Sequence, residues 1–212
     1  MRTSIISKGG FGCNPPGLTR GRAGVILTGR MGGAKIAPPH HNIREDNDLT
    51  AARYRAMLDW LRARPVLCRL IRFVARGSVV CIYLLYAGLL GWLAWSRDAR
   101  FWRVLFVTCA VFVAGTGLRA AINRPRPYEA LGGAPLFPKD TVGKSMPSRH
   151  SFSAAVIAAA AWAVWPPLGV AGAVLALLIA LTRVLSGVHY PSDVLAGLAF
   201  GGLAGLAGMY LF

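Results

Sequence analysis

The sequence predicts an all-α integral membrane protein: a bundle of about five transmembrane helices preceded by an amphipathic helix at the membrane surface. Three observations carry this. Of the 212 residues 55% are apolar and 15% charged, where an ordinary soluble domain carries ~25% charge. The charge is unevenly placed. Fourteen of the 24 Lys and Arg lie at or before Arg76, and from Ser151 onward the only charged residues are Arg183 and Asp193. Finally, several uncharged runs are long enough to cross a hydrocarbon core of ~30 Å. Disorder as the overall state and a conventional soluble domain are both excluded.

The formal charge of +16 is not a nucleic-acid signature. A DNA- or RNA-binding domain carries its basic residues on a soluble face. Here most of them flank apolar segments, where anionic lipid headgroups are the nearer partner. Twenty of the 24 are Arg, a bias that a GC-rich genome produces without functional meaning. No nucleic-acid partner is expected.

Residues 1–49 hold GG and PP pairs, scattered Arg and no periodic apolar face, and read as a disordered basic tail with a start codon that could lie further on. Residues 50–212 read as one membrane-embedded domain. Thr50 is placed to cap a helix from Ala51. Met57, Trp60, Leu61 and Leu67 fall near one face of it, with Arg53, Arg55, Arg62 and Arg64 largely elsewhere, as suits an interfacial helix. Pro65 allows a bend, after which Arg69, Arg72 and Arg76 can snorkel.

Five apolar segments follow. Gly77–Ser96 is an uncharged run of 20 residues. Phe101–Leu118 is the second, and residues 119–150 form a polar, Pro-rich connection. Ser151–Thr182 is uncharged but contains Pro166-Pro167, so it reads as two short helices of about 15 residues, ~22 Å each. The fifth is Val194–Phe212, with Gly197, Gly201 and Gly205 four apart, a stripe for close helix packing. Short helices put their polar ends at the membrane interface.

Those ends carry three polar clusters: Arg119 to Pro127, Pro147-Ser148-Arg149-His150, and Thr182 to Asp193. Counting spans brings all three to one face. Arg119, Arg126 and Arg183 offer planar donor forks suited to an oxyanion. Ser148 and the following helix N-terminus add a hydroxyl and free N–H groups. His150 and His189 lie in the same layer, and Asp193, four residues after His189, can fix its tautomer. Each feature alone has a bland explanation, since an Arg at a helix end is usually an interfacial anchor. All of them in this order describe a phosphate site with a nucleophile and a proton donor.

From about Arg119 to Asp193 the chain resembles the type 2 phosphatidic acid phosphatase family, within the superfamily that also holds vanadium haloperoxidases and bacterial acid phosphatases. The family pattern is Lys-x6-Arg-Pro, Pro-Ser-Gly-His and Ser-Arg-x5-His-x3-Asp. This chain has Arg119-x6-Arg126-Pro127, then Pro147-Ser148-Arg149-His150, then Thr182-Arg183-x5-His189-x3-Asp193. Arg119 stands for Lys, Arg149 for Gly and Thr182 for Ser; Arg149 either adds a phosphate contact or narrows the pocket.

The resemblance implies a membrane-bound phosphatase acting on a lipid phosphate monoester or diphosphate, of the phosphatidate, phosphatidylglycerol phosphate or undecaprenyl diphosphate class, through a phosphohistidine. His189 would attack phosphorus, Asp193 would orient it, and His150 would protonate the leaving oxygen and later activate water. Arg119, Arg126, Ser148, Arg149 and Arg183 would hold the phosphate oxygens. No metal and no cofactor is expected. The expected partners are a lipid phosphate substrate, membrane lipids and, as a candidate, a second copy of the chain. A non-catalytic scaffold or transporter subunit is the alternative from another class, and a vanadate-dependent haloperoxidase the alternative within the superfamily. The expected location is a bacterial-type cell membrane. The excess of Lys and Arg on the side of the site favours a cytoplasmic-facing active site.

Overall fold

The computed structural model describes residues 43–139 and 141–211, with side chains from Thr50 onward. Seven helices run through the described residues: α1 (Ile43–Arg62), α2 (Pro65–Trp95), α3 (Arg100–Ile122), the one-turn α4 (Pro127–Ala130), α5 (Arg149–Val164), α6 (Pro166–Leu185) and α7 (Pro191–Tyr210). Among the described residues there is no strand. The helix starts follow the prolines. Pro65, Pro127, Pro166 and Pro191 each occupy the first helical position, where a missing N–H costs nothing and the fixed φ is already helical.

Two boundaries differ from expectation. The first helix begins at Ile43 rather than Ala51, so Thr50 lies inside it. No Gly or Pro interrupts residues 43–50, and nothing stops the helix from extending back into the stretch read as tail. Residues 1–42 of that tail lie outside the described residues. The second difference is α6, which has 20 residues rather than about 15, because the helix continues through Thr182 and Arg183 to Leu185.

Helices α2, α3, α6 and α7 are long and apolar enough to cross a membrane. The remaining expected span, the third in chain order, is α5, a different kind of helix. It has 16 residues and is buried continuously from Ser151 to Ala161. It packs against α2, α3, α6 and α7 and so forms the axis of the bundle. Its run of small residues lets the neighbours come close, which drives association where the solvent is itself apolar. The stripe on α7 faces it: a Cβ at Gly201 would strike the backbone of Phe152. The lipid-facing residues, such as Phe73, Leu84, Phe106 and Leu203, are exposed.

Both ends of the bundle are tied. At one end Arg100 and Arg103 of α3 donate to the carbonyls of Val164 and Met209, at 3.3 and 3.4 Å. At the other, α1 lies across the loops. Leu58 and Leu61 join Cys68, Ile71 and Leu136 in one buried cluster. Trp60 is exposed beneath the guanidinium of Arg64, 3.7 Å from the ring centroid. The helix thus sits on the same side as the polar clusters, and the end of α7 on the opposite side.

Candidate active site

The three clusters meet at that end. α3 stops at Asn123, which closes the helix in the left-handed region (φ 42°) with its N–H on the Arg119 carbonyl. The chain then passes Arg124 and Arg126 into α4, whose N-terminal N–H at Arg126 donates to Glu129. The loop from residue 131 returns to Ser148. There the Ser148 N–H donates to the Asp193 carbonyl at 2.9 Å, joining the start of α5 to the start of α7. α6 ends at a turn in which Gly187 has φ +70°, a conformation that favours glycine. The Tyr54 hydroxyl of α1 donates to the Gly187 carbonyl at 2.8 Å, and the Leu136 N–H donates to the Ser186 carbonyl at 3.0 Å. The segment carrying His189 is therefore fixed from two sides.

A cavity of about 240 Å³ opens between these elements. Arg119, Arg126, Lys139, Lys144, Arg149, His150 and His189 line it, with Thr116, Ala120 and Thr141. Among the described residues no carboxylate is in its lining. Arg126 is 1% exposed; its Nε donates to Gly143 O at 3.0 Å and its Nη1 to Val188 O at 3.3 Å. By contrast, the side chains of Arg119, Lys139, Arg149 and Arg183 make no hydrogen bond or ion pair with the described residues, and the Arg183 Nε is buried without a partner among them. Arg149 is exposed, but Arg119, Lys139 and Arg183 are partly withdrawn from water, where an unpaired cation is costly, so the cavity suits an anion.

Behind the wall, Asp193 is fully buried and held by several donors. Its Oδ1 accepts from Arg124 Nη1 at 2.9 Å. Its Oδ2 accepts from the Ser145 hydroxyl at 2.5 Å and from the Tyr190 N–H at 3.0 Å. His189 Nδ1 lies 3.6 Å from Oδ2 and 3.3 Å from Ser145 Oγ. Burial, with Arg126 and Arg119 adding to it, pulls the His189 imidazole below its usual range, while the contact with Asp193 works the other way. The ring is neutral at neutral pH and can act as a nucleophile or base. Burial and then Arg126, Arg183, Arg119 and Arg149 push Lys139 down to about 8.

Of the residues singled out in the sequence, Arg119, Arg126, Arg149, His150 and His189 share the cavity lining. Arg183 stands close enough for its charge to act on both His150 and Lys139. Ser148 does not reach the lining: it is buried, its hydroxyl accepts from Ser151 at 3.1 Å, and its N–H is used by Asp193. Sequence reasoning missed Ser145, Lys139 and the role of Arg124 at Asp193. Only Arg124, set between Arg119 and Arg126, carried a signal that could have found it. Among the described residues no three His, Cys, Asp or Glu side chains form a metal-binding group.

Comparison with known proteins agrees with this frame. The profile of the PAP2 superfamily matches residues 100–212. The lipid A 1-phosphatase of Rhizobium etli is 41% identical over 90 residues, covering 40% of this chain and 38% of that protein. The chain thus spans less than two fifths of that relative's length. The decaprenylphosphoryl-5-phosphoribose phosphatase of Mycobacterium tuberculosis is 35% identical over 150 residues, 67% of this chain and 78% of that protein. Among solved structures, a transmembrane PAP2-type phosphatidylglycerolphosphate phosphatase from Bacillus subtilis superposes with a TM-score of 0.59 over 80% of this chain and 86% of that one, at 24% identity. Aquifex aeolicus LpxE does so with 0.58 over 74% and 93%, at 23% identity. With this profile across its C-terminal half, and a relative matched over two thirds of its length, the chain belongs to the PAP2 superfamily.

Proposed function

We propose that residues 50–212 form a membrane-bound phosphatase that hydrolyses a lipid phosphate monoester or diphosphate, without a metal, through a phosphohistidine. The observation that carries the reading is one cavity in which two imidazoles face unpaired arginines, with a buried carboxylate behind one of those imidazoles. His189 Nε2 attacks phosphorus. Arg119, Arg126 and Arg183 stabilise charge on the equatorial oxygens, with Arg149 at the rim of the same cavity. Burial and then Arg183, Lys139 and Arg149 push His150 down to about 3, so it takes up a proton as the substrate's negative charge enters, gives that proton to the leaving oxygen, then takes one from the water that cleaves the N–P bond. Asp193 orients His189 and stabilises its cationic form. Ser148 acts by bracing the ends of α5 and α7.

The relatives named for lipid A, for a decaprenyl-linked phosphoribose and for phosphatidylglycerolphosphate support a lipid substrate, as does a site at the membrane-facing end of apolar helices. The site faces the cytoplasm in this reading, because Arg62, Arg64, Arg69, Arg72 and Arg76 flank the bundle on its side while Arg97, Arg100 and Arg103 lie on the other. The test is phosphate release by the full chain, purified in detergent, from a panel of lipid phosphates. Release without divalent cations, lost in His189→Ala, is expected. Release that requires a divalent cation, or that survives His189→Ala, contradicts the reading.

A further inference from the structure

The cavity holds more positive charge than one phosphate needs. Five cationic side chains line it and Arg183 stands against it. A phosphate monoester brings about −1.5 to −2. Arg119, Arg126 and Arg183 occupy the positions expected to hold the transferred phosphoryl group, and three guanidinium forks already suffice for its oxygens. Lys139, Lys144 and Arg149 are the surplus, and of these Lys139 and Arg149 are the two whose charges act on each other and on His150. They come from different elements, the loop before α5 and the first residue of α5, yet line the same cavity. Neither makes a hydrogen bond or ion pair with the described residues. Lys139 is half-buried and is repelled by four arginines, Arg126, Arg183, Arg119 and Arg149. A lysine kept in such surroundings, with no carboxylate partner among the described residues, is explained by an anion that arrives with the ligand.

We propose that Lys139 and Arg149 form a subsite for a second phosphoryl group beside the one transferred, so that the preferred substrate is a lipid bearing two phosphoryl groups close together. The inference rests on the phosphatase reading of the same cavity. For a lipid diphosphate the step balances without a co-reactant. A bond forms between His189 Nε2 and the terminal phosphorus, and the bond from that phosphorus to the bridging oxygen breaks. The lipid monophosphate leaves with its charge on Lys139 and Arg149. Water then cleaves the N–P bond, releasing inorganic phosphate and restoring His189; one water is consumed. The same subsite chemistry fits a lipid in which a sugar separates the two phosphoryl groups, and the two sources are separable by experiment.

The full chain in detergent is assayed on a prenyl diphosphate, the matching prenyl monophosphate, and a prenylphosphoryl sugar phosphate. At least one two-phosphoryl substrate is expected to exceed the monophosphate about tenfold in kcat/KM; which one does assigns the source. Lys139→Met and Arg149→Gly are expected to lower that ratio about tenfold, chiefly through KM, and Lys139→Arg to keep most of it. Inhibition of the unmodified protein needs no variant: inorganic pyrophosphate is expected to act at about a tenth of the concentration of inorganic phosphate. Equal kcat/KM on all three substrates, equal inhibition by the two anions, or an unchanged ratio in folded Lys139→Met and Arg149→Gly proteins overturns the proposal. Absence of any His189-dependent phosphate release overturns the phosphatase reading instead.

Discussion

The Ser145 hydroxyl donates to Asp193 Oδ2 at 2.5 Å while its oxygen lies 3.3 Å from His189 Nδ1. The direct distance from Nδ1 to Oδ2, 3.6 Å, is too long for a hydrogen bond. A serine has one proton to give, and here it goes to the carboxylate. Its lone pair is then left to accept from Nδ1–H, which places the His189 proton on Nδ1 and leaves Nε2 bare. Ser145 thus sets the tautomer that an attack by Nε2 requires.

Removing that hydroxyl separates the two effects. Ser145→Ala should lower kcat about tenfold with little change in KM, since the residue positions His189 and does not line the cavity. Asp193→Asn should cost more, about 10²–10⁴ in kcat, by analogy with the orienting carboxylate of hydrolase triads. Steady-state kinetics of both variants checks this; an unaffected Ser145→Ala protein would remove Ser145 from the relay.

The pH profile follows from the direction of two shifts. His189 attacks only when neutral, and its folded value lies below the ordinary ~6.5. Activity should therefore persist to lower pH than an ordinary histidine allows. Lys139 titrates near 8, so it loses its charge above that pH and KM for an anionic substrate should rise. The measurement is kcat/KM against pH, with the substrate's own ionisation (second pKa ~6 for a monoester) divided out. An acid limb at or above ~6.5 would contradict the buried, neutral His189.

Packing gives a prediction independent of chemistry. A Cβ at Gly201 would meet the Phe152 carbonyl and Cα, whereas at Gly202 it would meet nothing within 4 Å. Gly201→Ala must part α5 from α7 and should destabilise by about 1–3 kcal/mol. Gly202→Ala should be near neutral. Because Ser148 and Asp193 are joined across the same interface, Gly201→Ala should also lose activity. Thermal melting in detergent compares the pair.

The frame was legible because its signals are one-dimensional. Pro65 and Pro166-Pro167 marked the breaks before α2 and α6, and the small-residue stripe on α7 marked a face for close helix packing. The site was legible as three motifs at helix ends, and parity of spans brought them together. What escaped came from loops. Ser145 and Lys139 sit in residues 131–148, where no periodicity links position to contact. Their roles depend on Ser145 N–H bonding to Arg124 O and on the return of the chain to Ser148. The contacts of Ser148 were hidden for a related reason: sequence places it at a helix start but does not show that its N–H is taken by the Asp193 carbonyl.

The central claim is that His189 carries the phosphoryl group. The most direct measurement is rapid acid-free quench of the full chain with a lipid phosphate labelled with ³²P at the transferred group, followed by peptide mapping. The account predicts an acid-labile, base-stable label on the peptide containing His189, transient in the unmodified protein, longer-lived in His150→Ala and absent in His189→Ala. Turnover by the unmodified protein with no label on that peptide, or label retained in His189→Ala, would contradict it.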